Sequence, residues 1–138
     1  MRVWVALLAA IFATLTPMAS TGQTSVKGNA VKPDFSQVKS RAAAQALADK
    51  GELVRILVFP AELGGQDVPE NVVYITPEAA QARELIVGTL RRFADDGLID
   101  NLTVKPQYKG DSVVPSRLVM NATSSKKAGG FNPTIEVW

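Results

Sequence analysis

The chain contains no histidine and no cysteine. The first absence removes the commonest general base, the Ser-His-Asp triad and most zinc sites, which all use imidazole. The second removes thiol nucleophiles, iron–sulfur ligation, disulfides and a cysteine-linked lipid anchor. A small fold without disulfides has to be held by its own core. Aromatic residues are scarce at 7%, which argues against a sugar groove floored by aromatic platforms. An excess of one charge is missing too, with 15 basic against 13 acidic residues. The longest basic runs are the pairs Arg91-Arg92 and Lys126-Lys127. Nucleic-acid binders carry clustered Lys and Arg along a stripe, so no nucleic-acid partner is predicted. No G-x-S-x-G turn, phosphate-binding loop or dinucleotide fingerprint occurs. No cofactor, no metal and no catalytic residue set is predicted.

A membrane-spanning run is also missing. The apolar stretch Val3 to Leu15 has no charge but only 13 residues, and a spanning helix needs about 20. Arg2 precedes it, Pro17 breaks it, and Ala19, Ser20, Thr21 and Gly22 follow. Charged start, apolar middle and small-residue end make the pattern of a secretory signal. Cleavage after Gly22 places Ser20 and Gly22 at the two small-residue positions. The sequence therefore predicts export to the periplasm or the outside of the cell, with no stable membrane anchor after cleavage. Removing 22 of 138 residues leaves 116, enough for one domain with its own core. The expected divisions are a signal at 1–22, a flexible leader at 23–33 and a single globular domain at 34–138.

Two helices are expected in that domain. Asp34 with Gln37 reads as a capping box opening a helix over about 34–50, closed by Gly51. Its inner face would hold Phe35, Val38, Ala42 and Ala46, with Leu47 beside them. Alanine contributes little apolar area, so this helix is predicted to be the looser one. Thr76-Pro77-Glu78 opens the second helix, running over about 77–96 to Gly97-Leu98. Ala79, Ala82, Ile86, Leu90 and Phe93 fall on one stripe, flanked by Leu85 and Ala94. Leu53 to Phe59 reads as a central strand covered on both faces, and Val72 to Ile75 as a short second one. Further strands are expected from Leu102 to Pro106, from Arg117 to Thr123, and from Thr134 to Trp138. Short polar connections favour antiparallel pairing. The fold class is α+β, with the 77–96 helix packed on a largely antiparallel sheet.

Three chemistries survive the missing imidazole and thiol. Ser36-x-x-Lys39 and Ser124-x-x-Lys127 have Ser–Lys spacing, but the companion elements of Ser–Lys enzymes are absent. Glu62, Asp67 and Glu70 share one loop with Gly64-Gly65 and could pair as carboxylates or hold calcium; a solvated acidic loop is the plainer reading. Gly88 lies opposite the apolar stripe of the second helix, where glycine costs about 1 kcal/mol against alanine. Close packing there, by the first helix or by a partner chain, would explain it. Tyr108, Lys109, Lys126 and Lys127 lie in two turn-like loops suited to recognition. Trp138, ending the last strand, could serve dimerisation or strand addition. The expected function is a small exported non-enzymatic protein, a macromolecule-binding or accessory module of the cell envelope, with a protein partner or a second copy as the occupant. The rivals are a carboxylate- or Ser–Lys-dependent hydrolase and a small-ligand carrier.

Overall fold

The structure is a computed structural model that describes residues 31–138, and these form one compact unit. The expected signal and the first part of the expected leader lie outside the described residues. The first helix, α1 (Arg41–Asp49), begins six residues later than the Asp34 capping box predicts. Asp34 Oδ1 accepts instead from the Ser36 amide at 2.8 Å, and the Val38 amide donates to the Phe35 carbonyl at 3.0 Å. These turns drop Phe35 into the core, edge-on to Trp138 with ring centroids 6.2 Å apart. Burying that ring outweighs a few more helical bonds. Ser40 is the true cap, its side chain accepting from the Ala43 amide at 3.1 Å. The later start changes the helix phase. Ala44 is buried and Leu47 and Ala48 half-buried, whereas Ala42 and Ala46 are exposed. Gly51 closes the helix with φ +78°, its own amide and that of Glu52 returning to the Ala48 and Leu47 carbonyls.

β1 (Val54–Leu57) pairs antiparallel with β2 (Val72–Ile75) in a two-stranded ribbon. The expectation of a central strand is thus corrected. Among the described residues β1 has a single strand neighbour, and its apolar character serves packing against α1 and the second helix, α2 (Pro77–Asp95). Asn71 ties down the loop between the strands. Its side chain accepts from the Phe59 amide at 2.7 Å and donates to the Phe59 and Gln66 carbonyls, each at 3.0 Å. Thr76 caps α2 by accepting from the Ala79 amide at 3.3 Å. Gly97, with φ +68°, ends it, and the Leu98 amide returns to the Phe93 carbonyl at 2.8 Å. Of the expected stripe, Ala79 and Leu90 are buried and Ile86 and Phe93 pack half-buried against the core, but the face is wider on one side. Ala79, Arg83, Val87 and Leu90 are the buried residues, while Ala82 is exposed and Leu85 is 77% exposed.

β3 (Asn101–Gln107), β4 (Arg117–Thr123), β5 (Gly130–Phe131) and β6 (Thr134–Glu136) form a second antiparallel sheet. β4 is its centre, bounded by β3 on one side and by β5 and β6 on the other. Pro106 does not stop β3. It lies on an edge strand, where the missing amide can face away from the sheet. Leu118, Met120 and Ala122 alternate along the inner face of β4 and are fully buried. They share one core with Leu53, Ile75, Leu90, Val114, Ile135 and Val137. The fold is α+β, as the sequence predicts, but its strands divide between a ribbon and a four-stranded sheet.

Candidate functional site: clefts along the two edges of the ribbon

Pairing in the β1–β2 ribbon decides which backbone groups face outward. The Val58 amide donates to the Asn71 carbonyl at 2.7 Å. With the register Val54↔Ile75 and Ile56↔Val73, the hydrogen-bonded positions are therefore the even ones of β1. Arg55 and Leu57 turn their N–H and C=O groups to one open edge, and Tyr74 and Val72 turn theirs to the other. Each open edge carries an arginine. Arg83 Nη2 donates to the Leu57 carbonyl at 2.7 Å. Arg41 Nη2 donates to the Val72 carbonyl at 3.5 Å and to the Pro69 carbonyl at 2.8 Å. Leu57 and Val72 are cross-strand partners, so two guanidinium groups cover the outward carbonyls of one residue pair.

A cleft follows each edge. The β2 cleft has a volume of about 440 Å³, with Arg41, Tyr74, Tyr108, Asp111 and Ser112 among its walls. Tyr74 hydroxyl donates to Gln45 Oε1 at 2.5 Å, which fixes its ring against α1. Tyr108 is 47% exposed at the rim. Partial burial pushes its phenol pKa up, against a smaller opposing pull from Arg41, so the hydroxyl stays protonated near neutrality and can both donate and accept. Ser112 is committed, its Oγ donating to the Phe35 carbonyl at 2.8 Å and accepting from the Val114 amide at 3.1 Å. Asp111 lies 3.9 Å from Lys39. The β1 cleft, about 520 Å³, runs between β1 and the first half of α2. Leu57, Ala61, Pro77 and Ala80 line it together with Arg55, Glu62, Arg83 and Glu84. Both are open clefts rather than enclosed cavities.

The residues singled out by sequence fall in three places. Tyr108 and Lys109 follow β3, whereas Lys126 and Lys127 follow β4 at its far end. A seven-residue strand separates the two loops, about 20 Å of rise, so they do not converge on one site. Lys127 borders a smaller cleft with Phe93, Leu98 and Phe131. Lys109 is turned inward upon Trp138: its Nζ donates to the Trp138 backbone oxygen at 2.8 Å and lies 4.7 Å from the ring centroid. Trp138 is buried at 9% exposure, and its indole donates to the Val114 carbonyl at 3.2 Å. Its ring is a core element rather than a contact surface. Gly88 is exposed, and among the described residues nothing lies within 4 Å of where its Cβ would stand. The first helix does not pack there.

Asp67 is bound by Arg55 through both carboxylate oxygens, at 2.5 and 3.3 Å. That pairing holds its carboxyl below the usual range. Ser36 and Lys39 precede α1, and Ser124 and Lys127 lie in a loop, so neither Ser–Lys pair has helical spacing. Among the described residues no three of His, Cys, Asp and Glu gather to hold a metal, and no helix is long and apolar enough to cross a membrane. Sequence reasoning missed Arg41 and Arg83. The only available signal was a cation inside the i, i+4 row Ala79, Arg83, Val87. No family model, curated protein or solved structure matches the chain.

Proposed function

We propose that this is an exported, non-enzymatic protein of the cell envelope or its surroundings that binds another protein through the cleft beside Tyr108. The observation that carries this reading is Tyr108 itself. A large amphipathic ring, half exposed, stands at the rim of a cleft walled by Arg41 and Tyr74. Tyrosine and arginine are the side chains most enriched where interfaces concentrate their energy. The lysine partner of the loop, Lys109, is occupied by Trp138, so the contact is expected to rest on the ring and the guanidinium. A hydrolytic reading is weakened by Asp67, which Arg55 keeps ionised and hence unable to donate a proton. A small-ligand carrier normally encloses most of its cargo, and both clefts are open.

Cell fractionation tests the compartment. The mature N-terminus, read by mass spectrometry from the envelope or medium, is expected at Gln23. An intact N-terminus in the cytosolic fraction would overturn export. Cross-linking from a photoreactive group at position 110, on the tagged protein, tests the contact surface. It is expected to trap a protein whose yield falls about tenfold in Tyr108→Ala, as truncating a binding hot spot costs at least about 1–2 kcal/mol. Equal yield with Tyr108→Ala would exclude this face.

A further inference from the structure

We propose that the groove between β1 and α2 binds an extended peptide segment of another protein, which adds as a third strand to β1 and delivers an oxygen to Arg83. This site is separate from the Tyr108 cleft, which follows the opposite edge of the ribbon, and either can fail without the other.

Three observations meet here. First, the edge is chemically incomplete. The outward N–H and C=O of Arg55 and the outward N–H of Leu57 have no partner among the described residues. Main-chain donors and acceptors in a row, otherwise met only by water, are a template for another strand. Second, Arg83 is 5% exposed, yet its Nε has no hydrogen-bond partner in the described structure. Its Nη2 reaches the Leu57 carbonyl at 2.7 Å and its Nη1 reaches Glu84 at 3.2 Å. A buried donor without an acceptor is rare in a finished structure. Arg83 also lines the groove; its Nε is closed to solvent, so an incoming carbonyl oxygen completes it only as the guanidinium turns outward where the strand edge ends. Third, the groove selects by side chain. Leu57, Ala61, Pro77 and Ala80 give it apolar walls, and Glu62 and Glu84 stand at its border. Arg55 is neutralised by Asp67 and Arg83 by Glu84, whereas Glu62 has no ion pair among the described residues. The uncompensated charge is negative. In an added strand alternate side chains face opposite sides. The fitting occupant therefore alternates small apolar residues toward the groove with basic residues toward the rim.

The test uses the intact protein and a labelled hexapeptide of alternating lysine and valine. Fluorescence anisotropy is expected to give saturable binding at about 10–100 μM, the weak end for a short strand contact. An alternating glutamate–valine peptide is expected to bind about tenfold more weakly. Two isomers methylated on alternate backbone amides make the decisive pair. Strand addition requires that one binds and the other does not, because only one set of amides faces β1. Amide exchange at Arg55 and Leu57 should slow about tenfold with bound peptide. Arg55→Pro removes an outward amide without breaking a β1–β2 bond, and is expected to abolish binding while Arg55→Ala retains it. Arg83→Lys should weaken binding about tenfold, since it keeps the charge but loses Nε. Should either variant melt abnormally, the methylated isomers and the amide exchange on the unaltered protein still decide. No saturation up to about 1 mM, equal binding of both isomers, equal binding of the acidic peptide, or unchanged exchange at Arg55 and Leu57 would each overturn the proposal.

Discussion

Arg83 reverses the ordinary rule for placing charge on an amphipathic helix. It is buried while Leu85, two residues on, is 77% exposed. The cause is a carbonyl: Leu57 turns its oxygen outward from β1, and only a long donor from α2 reaches it. A surface carboxylate offers a second residue-scale case. Asp100 accepts from the Ser125 amide at 2.8 Å and from its hydroxyl, and these bonds hold its carboxyl below the usual range. A folded pKa lowered in this way stabilises above the unfolded value, near 3.9, and the effect is lost as pH falls through the folded value. Thermal melts of Asp100→Ala should therefore trail the unaltered protein by a constant margin above about pH 5. The margin should shrink as acid is added, and one that grew in acid would reverse the assignment. Gly88 makes the opposite kind of prediction. With nothing within 4 Å of its Cβ position among the described residues, Gly88→Ala should raise stability by about 0.5–1 kcal/mol in urea titration. A loss of stability would mean that something packs there after all, as in a dimer.

Helix α1 shows how local signals compete. Asp34-x-x-Gln37 and Ser40 are both acceptable starts, and the chain uses the second, leaving Phe35 in the turn before it, edge-on to Trp138. Ser40→Ala should lower stability by about 1 kcal/mol, the usual worth of a cap. Gln37→Ala should change it by under about 0.5 kcal/mol, as for a surface site away from such features. Equal losses from the two would restore the capping box. In α2 the ends are legible in the sequence, and so is most of the face: Ala79, Ile86, Leu90 and Phe93 pack toward the core, and Ala82 does not. Thr76-Pro77 and Gly97-Leu98 carry short-range chemistry that no neighbour has to supply. The stripe depends on what α2 packs against, and the apolar count favoured Ala82 and Leu85 over Arg83 and Val87. The sequence of β1 reads as a central strand for a similar reason. A continuous apolar run reports burial, and helices can provide it as well as strands.

For the whole molecule the last strand has the widest reach. β6 pairs with the central β4, the Val137 amide donates to the Ser116 carbonyl at 2.8 Å, and Trp138 joins Phe35 and Val114. Removing residues 134–138 exposes an indole pocket and frees one side of β4. The cooperative thermal transition should be lost or lowered by well over 10 °C, since a change of even 1 kcal/mol moves a domain of this size by about 4–8 °C. A truncation that melts like the full chain would return Trp138 to the role of a surface contact. The two loops with recognition chemistry separate at this scale, because the length of β4 lies between Tyr108 and Lys127.

Composition settled which chemistries lack their side chains, and local patterning settled that helices would meet antiparallel strands, with the ends of α2 and the span of β4. Those properties depend on side-chain identity and on neighbours a few residues away. Which strand edges stay open, and which arginines reach them, depends on pairing between segments far apart: Leu57 with Val72 and Arg83, Val72 with Arg41. An outward carbonyl exists only once register is fixed, so the two clefts and the unfilled Arg83 donor belong to the tertiary structure alone.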